Sequence, residues 1–387
     1  MKTRHVLICA PRLPEYDREG GSRRIFHFIE FCIRSGWAVS LAAEDGTDSE
    51  RYARTLQQMG VATYVLAKPW TGGLDALIDF NQLIRDVKFD LILIAHWYCA
   101  ETYTTSIRML SPATTVVVDS IDIHFLRQSR GAFTNADRSG GLAVLDESYG
   151  NEMMREVNAY AAADAVLTVS EKEARLVNDL VGRPIALAMP DMEDAEISPL
   201  PFEKRKGMLF VGNFRHPPNV QAVEYLCREI LPGVPRSVRA AHPLEIVGND
   251  PTQAVVDCCD DTDYVRLVGW VPSVLPYLQQ ARISLIPLLY GAGTKRKLMQ
   301  SLMVGTPSVS TRIGVEGLDL VHDVHVLVGE DAAGFAASIQ RLVENAALWQ
   351  RLERQGRDFV LGVHGREVVY ARWNDVIGAI LNNHGGG

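Results

Sequence analysis

The stretch "LYGAGTKRKLMQSLMVGTPSVST", Leu289 to Thr311, sets a glycine pair, Gly291 and Gly293, before a basic run, Lys295, Arg296 and Lys297. Glycine lets the backbone approach a ligand closely. The apolar period that follows predicts a helix starting near Thr294, with free N–H groups and a positive dipole end that suit an anion. Basic residues in a first helical turn are mildly unfavourable, by ~0.3–1 kcal/mol each, so three together ask for a counter-charge. A phosphate meets that need. The spacing is neither G-x-x-x-x-G-K-[ST] nor G-x-G-x-x-G. The plain alternative is a strand-to-helix turn with a solvated basic first turn, and the charge argument favours the phosphate.

Three other segments put polar chemistry just after a strand-like run. In "YDREGGSRRIFHF", Gly20 and Gly21 lie between the first strand and the first helix, with Ser22 as a candidate cap. They form either a ligand-contacting loop or a merely flexible one. "DSIDIHFLRQSR" (119–130) gathers Asp119, Asp122, His124 and Arg127 at a strand's end, as a polar site or as structural groups. "VGNFRHPPN" (211–219) offers Arg215 and His216 to an anion, with Pro217 and Pro218 opening a helix. Its bland reading is a charged turn.

Other signals are set aside. "DDTD" (260–263) contains D-x-D but precedes a strand, at the wrong edge of a sheet. "HDVH" (322–325) has two histidines without a further ligand cluster, so no zinc site is expected. Neither G-x-S-x-G nor H-E-x-x-H occurs.

The elements that must position these residues alternate between strand and helix. "HVLICAP" (5–11), "AVSLAA" (38–43), "LILIAH" (91–96), "TTVVVDS" (114–120) and "AVLTVS" (165–170) read as strands, with helical periods between them. Apolar runs without alternation suit strands buried on both faces, as in a parallel α/β sheet. "PDMEDAEISPLPFEKRK" (190–206), with three prolines and many charges, reads as an interdomain linker. A second series follows: "GMLFVGN" (207–213), "PLEIVGN" (243–249), "YVRLVGW" (264–270), "RISLIPL" (282–288), "SVST" (308–311) and "HVLVGE" (325–330). Residues 331–361 and 366–382 read as helical. The expected architecture is α/β: two tandem doubly wound, Rossmann-like domains with an interdomain cleft. Ligands of such sheets sit outside the carboxyl ends of the strands.

Composition bounds the partners. The chain has 387 residues, 47% of them hydrophobic, and a formal net charge of −8. That is enough for two cores, and no half is basic enough for a nucleic-acid binder. The six cysteines form no C-x-x-C pair and read as buried free thiols of a reducing compartment. The start, "MKTRHVLICAPRLPEY", is too short in its apolar run for a signal peptide, and no run of about 18 apolar residues exists. A cytoplasmic protein is expected. "SRRIFHFIEFCIRSG" (22–36) reads as a core helix in preference to a membrane-surface one, and a peripheral contact at the cytoplasmic face stays open.

Taken together, these pieces resemble the group 1 (family 4-like) glycosyltransferases of the GT-B fold. The resemblance covers most of the chain and is strongest from Gly207 to about Leu318, through "GMLFVGNFRHPPN" and "RLVGWVPSVLPYLQQARISLIPLLYGAGTKRKLMQSLMVGTPSVSTRIGVEGL". In the first half, "GGSRR" is similar to the family's glycine loop. "VVDSIDIHFLRQSR" is similar to its D-x-x-D-x-H-x-x-R segment, and "AADAVLTVSEKEARLV" to the element before its hinge.

The resemblance implies an acceptor-side domain over 1–195, a donor domain over 196–365, and a final helix, 366–387, crossing back to the first. It implies transfer of a sugar from a nucleotide-diphosphate sugar to an acceptor hydroxyl, with retention and without a metal ion or other cofactor. The acceptor class stays open among glycans, lipid-linked, protein and small-molecule hydroxyls. Lys297 would bind the diphosphate, helped by the N–H groups near Gly293 and Thr294. Gly291, Lys295, Gly212 and Asn213 would line the donor site, with Arg215 as a second phosphate partner. Gly21 would contact the donor, His124 would sit near the sugar, and Glu316 would face the donor. Asp122 and Arg127 fall to the acceptor side.

One departure stands out. Where many members carry two glutamates eight residues apart, this chain has Ala292 and Gln300. Gln300 keeps the capacity to hydrogen-bond a ribose hydroxyl but lacks charge. A nucleotide-sugar-binding scaffold that partners another transferase therefore stays open, and so, on the shared tandem architecture and donor site, does a nucleotide-sugar 2-epimerase.

Overall fold

The computed structural model describes residues 3–46, 50–66, 78–139, 144–194, 199–260 and 262–384. Its strands form two sheets, parallel throughout. The first comprises β1 (His5–Arg12), β2 (Ala38–Asp45), β3 (Ala62–Val65), β4 (Leu91–Ala95), β5 (Thr115–Asp119), β6 (Ala165–Thr168) and β7 (Ala186–Ala188), in the order β3-β2-β1-β4-β5-β6-β7. The second comprises β8 (Met208–Val211), β9 (Leu244–Val247), β10 (Val265–Gly269), β11 (Ile283–Ile286), β12 (Ser308–Ser310) and β13 (Leu327–Val328), in the order β10-β9-β8-β11-β12-β13.

Sixteen α-helices connect them among the described residues: α1 (Gly20–Arg34), α2 (Glu50–Gln58), α3 (Phe80–Asp86), α4 (Trp97–Leu110), α5 (His124–Ser139), α6 (Glu147–Ala161), α7 (Glu171–Val181), α8 (Pro217–Tyr225), α9 (Arg236–Ala241), α10 (Gln253–Asp260), α11 (Leu275–Gln280), α12 (Arg296–Met303), α13 (Arg312–Val315), α14 (Ala332–Glu344), α15 (Ala346–His364) and α16 (Arg366–His384). The chain divides into two compact units. One holds residues 1–125, 145–192 and 369–387, the other 126–144 and 193–368. The expected boundary at 195/196 falls outside the described residues, as does Asp261 of "DDTD".

Each sheet reverses its strand order at one place. β1 pairs with both β2 and β4, and β8 pairs with both β9 and β11. The crevice at such a switch point is where open parallel sheets hold ligands. In the first unit the flanking connections begin after Arg12 and at His96. In the second they are 212–216 and 287–295.

Every strand read from the sequence is present. β3 and β7 are additional, four and three residues long. The glycine pair at 20–21 opens α1 itself, with Glu19 at the N-cap and Ser22 buried inside the first turn. α1 is a core helix. Phe28, Ile29 and Cys32 are fully buried, and the Phe28 ring lies 4.6 Å from Trp373 of α16.

The end of the expected linker is also core. Arg205 is fully buried and donates to the carbonyls of Leu200, Leu278, Ala281 and Val304 and to the Thr306 hydroxyl. Burial pushes its guanidinium down to about 10, against the charge of Glu353 and with that of Arg282. All six cysteines are buried free thiols. No described helix is long and apolar enough to cross a membrane.

Candidate active site

In the second unit the site grows from the ends of β8, β9 and β11. Close packing dictates glycine at two of these ends. A Cβ on Gly248, just past β9, would lie 1.7 Å from the Gly212 carbonyl oxygen. One on Gly212 would lie 2.9 Å from the Phe210 ring and 3.1 Å from the Asn219 side chain. The loop after β8 is then tied to the start of α8. The Asn219 Nδ2 donates to the Asn213 carbonyl at 2.7 Å, and the Arg215 N–H donates to the Asn213 side chain at 3.0 Å.

After β11 the chain turns through Gly293, whose φ of 66° lies in the left-handed region that favours glycine. α12 starts at Arg296, two residues later than the sequence suggests, because Lys295 occupies the N-cap position. Lys295 is buried and folds onto its own loop, donating to the carbonyls of Gly293 at 2.5 Å and Ala292 at 3.3 Å. Thr294 beside it is half-buried. Lys297 points instead toward the β8 side. Its Nζ donates to the Asn219 Oδ1 at 2.5 Å and lies 4.6 Å from the centre of the Phe210 ring. Burial, and secondarily the Lys295 charge, push the Lys297 ammonium down to about 7. A lysine held on a neutral amide beside another cation gains from an arriving anion.

The remaining expected residues of this unit have protein partners. Arg215 is exposed and pairs with Asp250 at 2.7 Å. Gln300 donates to the Glu193 carboxylate at 3.4 Å, and Arg296 forms an ion pair with the same carboxylate. Glu316 accepts from Arg130 in a two-pronged pair, and Arg130 also donates to the Gly291 carbonyl at 2.8 Å. Arg127 is half-buried, one turn before Arg130 on α5.

In the first unit Gly21 is packed under Ile121, its notional Cβ 3.1 Å from the isoleucine Cγ2. Asp119 is structural. Its carboxylate takes both contacts from the Arg24 Nε, at 2.7 and 3.0 Å, and Arg24 also reaches the Met189 carbonyl and Asp191. Asp122 and His124 stand apart from that pair. The His124 Nε2 lies 3.3 Å from the Asp122 Oδ1, and its Nδ1 is 3.1 Å from the Trp97 Nε1.

α5 begins at His124 because Glu156, on α6, caps it. The Glu156 oxygens accept the N–H groups of His124 and Phe125, each at 2.9 Å, and the Tyr160 hydroxyl at 2.7 Å. Burial pushes this carboxyl up, against the hydrogen bonds that favour its charge. His96, at φ 69° between β4 and α4, completes the group. Its ring, Asp122 and His124 offer three ligand-type atoms within 4.8 Å of one another.

Sequence reasoning thus located Lys297, His124 and Asp122 at strand ends. It missed Asn219, Trp97, His96 and Glu156 around them, Glu193 beside Gln300, and Arg130 on Glu316. One signal for the first unit was available. "HWY" follows the apolar run "LILIA" with no turn residue between, which places bulky polar rings at a strand's carboxyl end.

Residues 205–345 match the family model described as glycosyl transferases group 1. No curated protein matches the sequence. Several solved structures share the whole fold. Sucrose-phosphate synthase from Thermosynechococcus elongatus aligns over 99% of this chain and 100% of its own, at 16% identity and a TM-score of 0.72. Anabaena HepE in complex with UDP and glucose aligns over 97% and 99%, at 10% identity and 0.70. A point mutant of Staphylococcus aureus TarM in complex with fondaparinux, alpha-GlcNAc-glycerol and UDP aligns over 98% and 100%, at 8% identity and 0.71. The chain therefore has the GT-B glycosyltransferase fold of two Rossmann-like domains, and its second unit carries the group 1 glycosyltransferase match.

Proposed function

We propose that the chain transfers a sugar from a nucleoside diphosphate sugar to an acceptor hydroxyl, with retention at the anomeric carbon and without a metal ion. The observation that carries this reading is Lys297, a lysine lowered toward neutrality at the β8/β11 switch point, where an anionic ligand would restore its charge. The match over residues 205–345 and the UDP complexes of HepE and TarM agree with it.

In this proposal the diphosphate takes the Lys297 ammonium and the N–H groups of Gly293 and Thr294. Gly291, Gly212 and Asn213 frame it, and Lys295 keeps the loop in shape. Arg215 would exchange Asp250 for phosphate, the Gln300 amide would meet the ribose, and Glu316 would face the sugar. His124 would serve the sugar, Gly21 would let the backbone approach the donor, and Asp122 and Arg127 would serve the acceptor.

As the bond from the anomeric carbon to the diphosphate oxygen breaks, negative charge grows on the leaving group, where fixed cations and N–H dipoles stabilise it. The acceptor oxygen bonds to the same face of the carbon, and its proton passes to a diphosphate oxygen. No carboxylate base is required. The acceptor is a glycan, lipid-linked, protein or small-molecule hydroxyl. The six buried free thiols fit a reducing, cytoplasmic setting.

The test is donor hydrolysis followed by NMR of the anomeric proton, with a panel of nucleotide sugars and no acceptor. The proposal expects slow release of the retained anomer, unaffected by chelator and reduced in His124→Ala. Nucleotide binding without turnover of any donor would favour the scaffold reading.

A further inference from the structure

The group His96, Trp97, Asp122 and His124 carries an inference of its own. An indole N–H can only donate. The Trp97 Nε1, 3.1 Å from the His124 Nδ1, therefore requires a lone pair on that nitrogen. A neutral imidazole has one proton, so it must reside on Nε2, the nitrogen 3.3 Å from the Asp122 carboxylate. The hydrogen bond at one ring nitrogen sets what the other can do. His124 is held from its other side too, since Glu156 accepts its backbone N–H at 2.9 Å and fixes the start of α5.

That proton assignment bears on the neighbouring cluster. His96, Asp122 and His124 bring three ligand-type atoms within 4.8 Å of one another, a set of chemistry suited to zinc or another divalent transition metal. A cation at the His124 Nε2 would need that nitrogen's lone pair, and so a proton on Nδ1. An Nδ1–H would then oppose the indole N–H. We propose that Trp97 is a positioning residue that fixes His124 as the Nε2–H tautomer. It thereby keeps a proton on the nitrogen that faces Asp122 and opposes a divalent cation held by His96, Asp122 and His124 together. Resting on the transferase reading, this makes the His124 Nε2–H, beside the Asp122 carboxylate, a donor toward the sugar or acceptor.

The first measurement needs no variant and no donor. Two-bond proton–nitrogen correlation of the His124 ring in the intact protein should show a protonated Nε2 and an unprotonated Nδ1. The second is zinc titration, read by competition with a chromophoric chelator. Outer-shell partners change metal affinity by roughly 10- to 100-fold. Trp97→Phe should bind zinc tighter than wild type by a factor in that range, and Trp97→Phe/His124→Ala should lose the gain. A proton on Nδ1 in the wild type would overturn the proposal, as would wild-type zinc affinity equal to that of Trp97→Phe. Both readouts are independent of sugar transfer, so failure of the transferase reading would leave them standing.

Discussion

The Lys297 ammonium rests on the Asn219 amide oxygen at 2.5 Å, joining the first turn of α12 to the first turn of α8 across the switch point of the second sheet. The Asn219 amide nitrogen in turn holds the Asn213 carbonyl at 2.7 Å. One asparagine thus orients the lysine and the loop after β8 together. Asn219→Ala should weaken nucleoside diphosphate binding although the side chain need not touch the ligand. Calorimetric titration checks this, and an unchanged affinity would leave the network structural only.

Binding should also take up a proton. The unliganded Lys297 sits at about 7, and an anion favours its charged form, so affinity should fall by up to about tenfold per pH unit above 7. Below that value the lysine is already charged and the dependence should vanish. Stability of the unliganded protein runs the other way. The folded value lies below the ordinary 10.5, so the unfolded chain binds more protons between them, and stability should rise with pH across that window. Titrations in buffers of different ionisation enthalpy, with Lys297→Met as the control that lacks both effects, decide the matter.

Removing half of a buried pair should cost more than removing both. Arg24→Met leaves the Asp119 carboxylate buried at 1% exposure without its main partner, at a cost of about 3–5 kcal/mol. Arg24→Met/Asp119→Leu should recover much of that loss in urea unfolding. Equal destabilisation of the single and double variants would contradict the pairing argument.

What the sequence disclosed and what it hid divides along physical lines. Strands buried on both faces announce themselves as continuous apolar runs, so "LILIA" and "TVVVD" were legible. β7, three residues with an exposed middle position, gives no such signal. Chemistry carried by a motif was also legible, because glycines and lysines near a strand end have a local logic. Its counterparts were not. Glu193 lies 103 residues before Arg296, and Asp119 lies 95 residues after Arg24, so only the fold brings each pair together. Arg205 misled for the same reason. In sequence it belongs to a charged linker, and in the fold it is enclosed by carbonyls.

Gly248 and Gly378 should respond oppositely to alanine. At Gly248 the added carbon meets the Gly212 carbonyl at 1.7 Å, so β8 and β9 must part and Gly248→Ala should lower both stability and nucleotide binding. At Gly378, inside α16, nothing lies within 4 Å, and Gly378→Ala should stabilise by roughly 0.5–1 kcal/mol through helix propensity. Thermal unfolding of the two variants compares them directly.

Glutamine at 300 answers to Glu193. Gln300→Glu would set a second carboxylate 3.4 Å from one that is 1% exposed. It should destabilise on the order of 1–3 kcal/mol, and Glu193→Gln should relieve the penalty in the double variant. A stable Gln300→Glu with unchanged unfolding would refute the coupling.

The Gly291–Lys297 segment is proposed to hold a nucleoside diphosphate. Thermal unfolding of wild type and Lys297→Ala against a panel of nucleoside diphosphates and their sugars tests it most directly. A ligand at 100 times its dissociation constant adds about 2.7 kcal/mol, which is readily seen. One nucleotide should stabilise the wild type, and Lys297→Ala should lose the shift. Stabilisation of both proteins alike, or of neither at millimolar nucleotide, would contradict it.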